Sequence, residues 1–237
     1  MSVVLLRVGI DSGSGGMQGP LFADGSFELV PIPDSLGVGR RTYGNTAGRN
    51  GVPLVEYFPH ARRALLSDQA MHVDPEFETF TYGDPTRPKA GLARLEQGDI
   101  LAFYAGLEGW LHDVPAGLYL VGYFVVEWAG LATSASQGFV SEQFAKNFHV
   151  MHEKVYVAQR QRLVLVKGCT GSRLLEKAHL ISAMATNRAG QPLKVLSPEA
   201  QAVFGDFGGH ISIQRSPPRW VDEKCADRAK AFLNSLL

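Results

Sequence analysis

Gly98-Asp99-Ile100-Leu101-Ala102-Phe103-Tyr104-Ala105-Gly106 and, a short way downstream, Gly117-Leu118-Tyr119-Leu120-Val121-Gly122-Tyr123-Phe124-Val125-Val126-Glu127-Trp128 decide the fold class. In the second stretch, Leu118, Leu120, Phe124, Val126 and Trp128 fall on one face of a strand and Tyr119, Val121, Tyr123 and Val125 on the other. A strand apolar on both faces belongs at the centre of a sheet or in a barrel wall. Residues 100–105 read as a buried strand beside it. Working upstream, residues 89–96 can form a short helix that Gln97-Gly98-Asp99 stops. Asp84-Pro85-Thr86-Arg87-Pro88 is a turn, and residues 77–82 alternate aromatic and polar side chains as a strand does.

The same reading extends to both ends. Residues 3–10 are apolar and partly β-branched, a buried strand with Arg7 inside it, and residues 27–32 read as a second strand. Residues 35–53 have glycines and arginines without a period, a long loop of the kind that is often functional. Residues 55–58 suit a short strand. Downstream, Ser141 caps a helix over 141–147, and strands follow at 162–167 and within 174–181. Ser197-Pro198 opens a helix, with serine as cap and proline in the first helical position. Val221, Cys225, Ala229, Phe232 and Leu236 make one face of a C-terminal amphipathic helix. The expected fold is α+β: a single domain, residues 1–237, whose mixed β-sheet forms a partly closed barrel flanked by short helices.

Composition bounds the function. With 45% hydrophobic and 19% charged residues in a chain of 237, disorder is excluded. The two cysteines, Cys169 and Cys225, form no CxxC pair, and reduced thiols in a cytoplasmic protein are expected. Residues 118–132, the most apolar run, are broken by Gly122 and Glu127, so no membrane span is expected. Lys and Arg number 23 and Asp and Glu 23, which argues against a surface that coats nucleic acid. The charge is uneven, however. Arg40, Arg41, Arg49, Arg62 and Arg63 share their region with only Glu56, and Asp68, Asp74, Glu76, Glu78 and Asp84 follow. That pattern suits a local anionic ligand, or simply a solvated surface.

Four motifs carry candidate chemistry. In Asp11-Ser12-Gly13-Ser14-Gly15-Gly16, glycines free the backbone amides to meet an anion and the serines add hydroxyls. The spacing fits neither a Walker loop nor a dinucleotide fingerprint, and a structural turn is the alternative. Asp11 could act as a base, a ligand or a brace for the loop. In Asn147-Phe148-His149-Val150-Met151-His152, the two histidines can share a helix face, but no third metal ligand accompanies them, so no metal centre is expected. Asn147 and His149 could instead read a base edge, or His149 could be held by backbone. Lys167-Gly168-Cys169-Thr170-Gly171-Ser172-Arg173 offers an anion pocket, with Cys169 more plausibly inert than nucleophilic. Arg215 and Arg219, with Trp220 before the last helix, could hold a phosphate and stack a base, or the tryptophan could pack against the helix.

The 98–106 and 117–126 stretches resemble the EVE/ASCH branch of PUA-like domains, which implies a PUA-like core over residues 76–237 with residues 1–75 as an N-terminal elaboration. Over the full length, Leu5-Leu6-Arg7-Val8-Gly9-Ile10-Asp11-Ser12-Gly13, Asp84-Pro85-Thr86-Arg87-Pro88-Lys89, Asn147-Phe148-His149, Leu165-Val166-Lys167-Gly168, Ser172-Arg173-Leu174-Leu175-Glu176-Lys177-Ala178 and Gln214-Arg215-Ser216 resemble the nucleotide modification associated domain of type 3. The resemblance implies work near modified nucleotides in a DNA base-modification system, and it brings no catalytic residue or cofactor with it.

A (modified) nucleotide or flipped base is then expected in a pocket that includes Arg7, Ser12, Gly13, Ser14, Gly15, Arg87, Lys89, Tyr104, Asn147, Lys167, Ser172, Arg173, Arg215 and Arg219. Asp11 and His149 are the acid/base candidates by residue type, should the chain be catalytic. Two other readings stand beside this one. The first is a metal-independent enzyme acting on a small phosphate-bearing nucleotide through the loop at 13–16. The second is a non-catalytic partner subunit of a modification or defence complex, docking through the C-terminal helix or the 35–53 loop.

Overall fold

The computed structural model describes residues 1–214 and 217–236. Its strands, in chain order, are β1 (Val3–Arg7), β2 (Gly19–Leu21), β3 (Ile32–Pro33), β4 (Met71–His72), β5 (Thr81–Asp84), β6 (Ile100–Gly109), β7 (Gly117–Leu131), β8 (Val164–Gly168), β9 (Arg173–Leu180), β10 (Ser182–Thr186), β11 (Pro192–Leu196) and β12 (Arg219–Trp220). The helices are α1 (His60–Leu66), α2 (Gln137–Gln143), α3 (Phe148–Met151), α4 (Glu153–Gln159), α5 (Pro198–Phe204) and α6 (Glu223–Ser235). None of the helices among the described residues is long and apolar enough to cross a membrane.

The two stretches that open the sequence argument form the centre of the main sheet. β6 and β7 pair antiparallel, Ile100 with Val125 and Leu107 with Gly117, and the first eight residues of each are buried. β1, buried through Leu6, runs parallel to β6, while β9 and β8 pair in turn with β7. The strand order is β12-β1-β6-β7-β8-β5, with β2 on β6 and β9 on β7. The α+β expectation and the mixed sheet hold. The path is open at β12 and β5, so the sheet is not a closed barrel.

The path nevertheless curls. Residues from the end of β1 (Arg7) and from β5 (Tyr82, Gly83, Asp84) line one cavity, although β6, β7 and β8 lie between these strands in the ladder. The space between β1 and β5 becomes a cleft.

A second hydrophobic cluster anchors the loop over residues 35–53 through Tyr43. Tyr43, fully buried, packs edge-on against Phe58 at 4.8 Å, with Ile10, Val30, Leu54 and Met71 around it. The Tyr43 hydroxyl donates to the Pro31 carbonyl at 2.8 Å. The 35–53 stretch is therefore a long loop, as expected, but one tied down from within. Asp34, 3% exposed, begins it by accepting backbone N–H bonds from Leu36 (2.7 Å), Val38 (2.8 Å) and Gly39 (2.9 Å).

Several sequence expectations shift. Residues 27–32 are extended but pair with the sheet only through a bridge from Leu21 to Phe27, because β2 already takes the place beside β6. Residues 54–57 form a 3₁₀ turn, not a strand, entered from Pro53. The helix expected from Ser141 begins earlier, with Ser136 as its cap accepting from the Phe139 N–H. The Ser197 cap and Pro198 stand as expected, with Ser197 accepting from the Ala200 N–H at 3.2 Å.

Candidate functional site

Residues 71–74, β4 and the two residues after it, border several cavities. Met71 and Val73 line a cavity of about 460 Å³, while His72 and Asp74 line one of about 150 Å³ in the cleft between β1 and β5. Alternate residues of this extended chain thus face the two cavities, while Val73 and Asp74 both line a further one of about 310 Å³.

The larger cavity has an apolar wall of Met71, Val73, Phe148 and Met151. Its rim carries Arg40 and Arg41, presented by the tied-down loop: the Arg41 carbonyl accepts from the Met71 N–H at 3.0 Å, and Thr42 bridges to Ala70. Both arginines are exposed, and neither makes an ion pair among the described residues. Lys146, on the same cavity, is instead paired with Glu78 at 2.6 Å.

The smaller cavity is polar and deep. Asp74 has a side chain 4% exposed. Its Oδ2 accepts the Gly83 N–H at 2.9 Å and lies 3.6 Å from His149 Nε2, while its Oδ1 has no partner. Burial, with Asp84 adding to it, pushes this carboxyl well above its ordinary range. The Asn147 amide lies near enough to oppose the shift, yet its Nδ2 lacks hydrogen-bonding geometry. His149 is held by its other nitrogen: Nδ1 lies 2.7 Å from Gln159 Oε1, and an amide oxygen only accepts, so Nδ1 carries the proton and Nε2 presents its lone pair to Asp74. His72 stacks on Phe148 at 4.0 Å, and its Nε2 is buried without a partner. Burial lowers both imidazoles, His72 to about 4 with His149 as the second cause, so both are neutral near pH 7. One ligand atom from each of His72, Asp74 and His149 lies within 4.8 Å of the others. Gly83 is needed here, because a Cβ would come within 2.9 Å of Asn147 Oδ1 and 3.1 Å of His149 Cδ2.

Another cavity, about 250 Å³, adjoins the smaller one, sharing Arg7, Ile32 and Lys89 and adding Asp11 and Ser14. The structure thus brings Arg7, Asp11, Ser14 and Lys89 together, with His149 behind Asp74. The cations there are already matched: Arg7 to Asp11 at 3.1 Å and Lys89 to Asp84 at 3.6 Å. The glycine turn is not open to an anion. Asp11 Oδ1 takes the N–H groups of Gly13 and Ser14 and the Ser14 hydroxyl, and the Asp11 carbonyl takes the N–H of Gly15. Burial raises the Asp11 carboxyl, but the bonds from Ser14 and Gly13 and the charge of Arg7 outweigh it and leave it below its ordinary range. Asp11 braces the loop, and Ser12 is left exposed beside it.

Other expected site residues lie elsewhere. Tyr104 is fully buried and donates to the Ile213 carbonyl at 2.9 Å, so it offers no face on which a base could stack. Lys167 donates to the Thr79 carbonyl, and Arg173 reaches the Leu236 carbonyl at 3.5 Å and covers the Tyr123 ring. Ser172 accepts the Val125 N–H across the sheet at 2.9 Å. Asn147 caps α3 by accepting the His149 N–H. Arg87 is exposed, and Arg219 donates to the Ser212 carbonyl. Arg215 lies outside the described residues.

Sequence reasoning had paired His149 only with His152, which lines the larger cavity instead. His72 and Asp74 were missed. The period-two spacing of His72-Val73-Asp74 was the available signal, just as the Arg40-Arg41 pair was for the rim.

Among protein families, the model of nucleotide modification associated domain 3 matches residues 2–234, nearly the whole chain. No curated protein and no solved structure gives a match.

Proposed function

Because the chain belongs to the nucleotide modification associated domain 3 family, we propose that it binds a nucleotide, or a base flipped out of DNA, in the 460 Å³ cavity beside α3. The observation that carries this reading is the pair of arginines, Arg40 and Arg41, without ion-pair partners among the described residues at the rim of an apolar chamber. A phosphate is the ligand that such guanidinium groups take best, through parallel charge-assisted hydrogen bonds. Met71, Val73, Phe148 and Met151 supply the dry surface that a base needs once it leaves the stack. The volume falls in the range of small-ligand sites, and the chain carries no net charge. That arrangement favours one nucleotide unit over a long backbone track.

The test is calorimetric titration of the full chain with nucleoside 5′-monophosphates and with a short single-stranded oligonucleotide. The double substitution Arg40→Ala/Arg41→Ala should weaken binding at least about tenfold, since one lost charge-assisted contact is worth roughly 1.5 kcal/mol or more. Arg173→Ala, which removes a cation committed to Leu236 and Tyr123, should leave affinity unchanged. Equal binding by the wild type and the folded double variant would overturn the proposal.

A further inference from the structure

We propose that His72, Asp74 and His149 form a binding site for a single divalent first-row transition-metal ion, with its remaining coordination positions open to the cleft between β1 and β5. The proposal is independent of whether a nucleotide occupies the larger cavity.

Three candidate ligand atoms lie together. Asp74 Oδ1 and His72 Nε2 are buried and have no hydrogen-bond partner, and His149 Nε2 lies 3.6 Å from Asp74 Oδ2. Buried polar atoms are normally satisfied, and a carboxylate and two imidazoles held this close can be satisfied together by one cation between them. The donor set is two imidazoles and one carboxylate, from three points in the chain, with no thiolate. That composition suits zinc, iron, cobalt or manganese in the divalent state over calcium or magnesium, which prefer oxygen alone.

The dimensions agree. Around a four-coordinate ion with bonds of about 2.05 Å, neighbouring ligand atoms stand about 3.3 Å apart. His149 Nε2 and Asp74 Oδ2 are already at 3.6 Å, and the full set, within 4.8 Å, needs shifts of about 1 Å to close.

The surroundings are also those of a ligating histidine. Gln159 Oε1 takes the Nδ1 proton of His149, which fixes the tautomer and aims Nε2 inward. Phe148 fixes the plane of His72 by stacking at 4.0 Å. Gly83 keeps the space clear of a Cβ and donates its N–H to Asp74. Asp84 lies on the same cavity wall, paired with Lys89 at 3.6 Å, so the Lys89 charge is already matched beside the site. Access is through the 150 Å³ cavity, whose walls include His72 and Asp74 themselves. An entry path and a held ligand set are both present.

The experiment uses the full chain, stripped with a chelator and dialysed against Zn²⁺ or Co²⁺. The expected result is one equivalent of metal per chain. It should be lost in His72→Ala and in His149→Ala, and Gln159→Ala should weaken it by about 10–100-fold while leaving the ligands in place. Should a ligand variant fail to fold, X-ray absorption on the zinc-loaded wild type decides, with nitrogen and oxygen scatterers, including imidazole, expected at about 2.0–2.1 Å. No stoichiometric binding, binding that survives both histidine substitutions, or a sulfur scatterer would overturn the proposal. None of these outcomes bears on nucleotide affinity at Arg40 and Arg41, which is read without metal.

Discussion

Replacing Gly83 by alanine adds one methyl group at the tightest point of the cleft, and its cost can be worked from the contacts. The new Cβ would stand 2.9 Å from Asn147 Oδ1, 3.1 Å from His149 Cδ2 and 3.1 Å from Leu165 Cδ2. None of these is a free side-chain end. Asn147 is fully buried and caps α3, the His149 ring is tethered to Gln159, and Leu165 is fully buried in the cluster under α2. Overpacking of this kind costs about 1–3 kcal/mol. The glycine has no positive φ, so alanine meets no backbone strain and restricts the unfolded chain, which returns about 0.4–1 kcal/mol. The net expectation is a loss of about 1–2 kcal/mol, or about 2–8 °C in Tm for a domain of this size. Urea unfolding should show a lower midpoint at an unchanged slope, the sign of lost stability without a change in exposed surface. Gly138→Ala is the internal control. Gly138 lies in α2 with nothing within 4 Å of its would-be Cβ, so the same substitution there should stabilise by about 0.5 kcal/mol. A Gly83→Ala protein as stable as the wild type, or more stable, would refute the packing described around Asp74 and His149.

Two further substitutions test the frame of the site. Asp34→Ala removes the acceptor of three loop N–H groups and should cost about 1–3 kcal/mol, loosening Arg40 and Arg41 with it. Burial raises the Asp34 carboxyl, but the N–H bonds from Gly39, Leu36 and Val38 outweigh it and hold it below its ordinary value. Its contribution is therefore complete above about pH 4, the unfolded value, and fades as pH falls through the lower folded value, so the stability gap between wild type and variant should narrow in acid unfolding series. Tyr104→Phe should lower stability by about 1–2 kcal/mol by stranding the Ile213 carbonyl, with nucleotide titrations unchanged. A loss of nucleotide affinity at full stability would restore Tyr104 to the binding surface.

The central strands, the Ser197 cap, the last helix and the long 35–53 loop were legible because each carries its signal locally, in periodicity, in a cap or in a run without a period. Residues 54–57 were not, since a short run after a proline with only Glu56 charged satisfies a strand and a 3₁₀ turn equally well. The β10–β11 hairpin escaped notice because β10 is Ser182-Ala183-Met184-Ala185-Thr186, whose small residues show no clear alternation. The site was legible only in part, for the same physical reason. His149 stands out alone, but its neighbours His72 and Asp74 lie on and just after β4, in a separate two-stranded sheet, and only long-range packing brings them together. The glycine turn misled in the opposite direction: its composition suits an anion, yet Asp11 within the turn satisfies the amides first.

The gap between β1 and β5 has a consequence for how such a protein can change. No ladder hydrogen bond joins these strands, so much of the chamber between them is bounded by side chains. Substitutions at Ile32, Lys89 or Asp84 can widen it, narrow it or reverse its charge without disturbing a backbone pairing of the main sheet. A lineage built on this frame can therefore reshape the chamber through point changes, keeping its architecture while the chamber's size and charge drift.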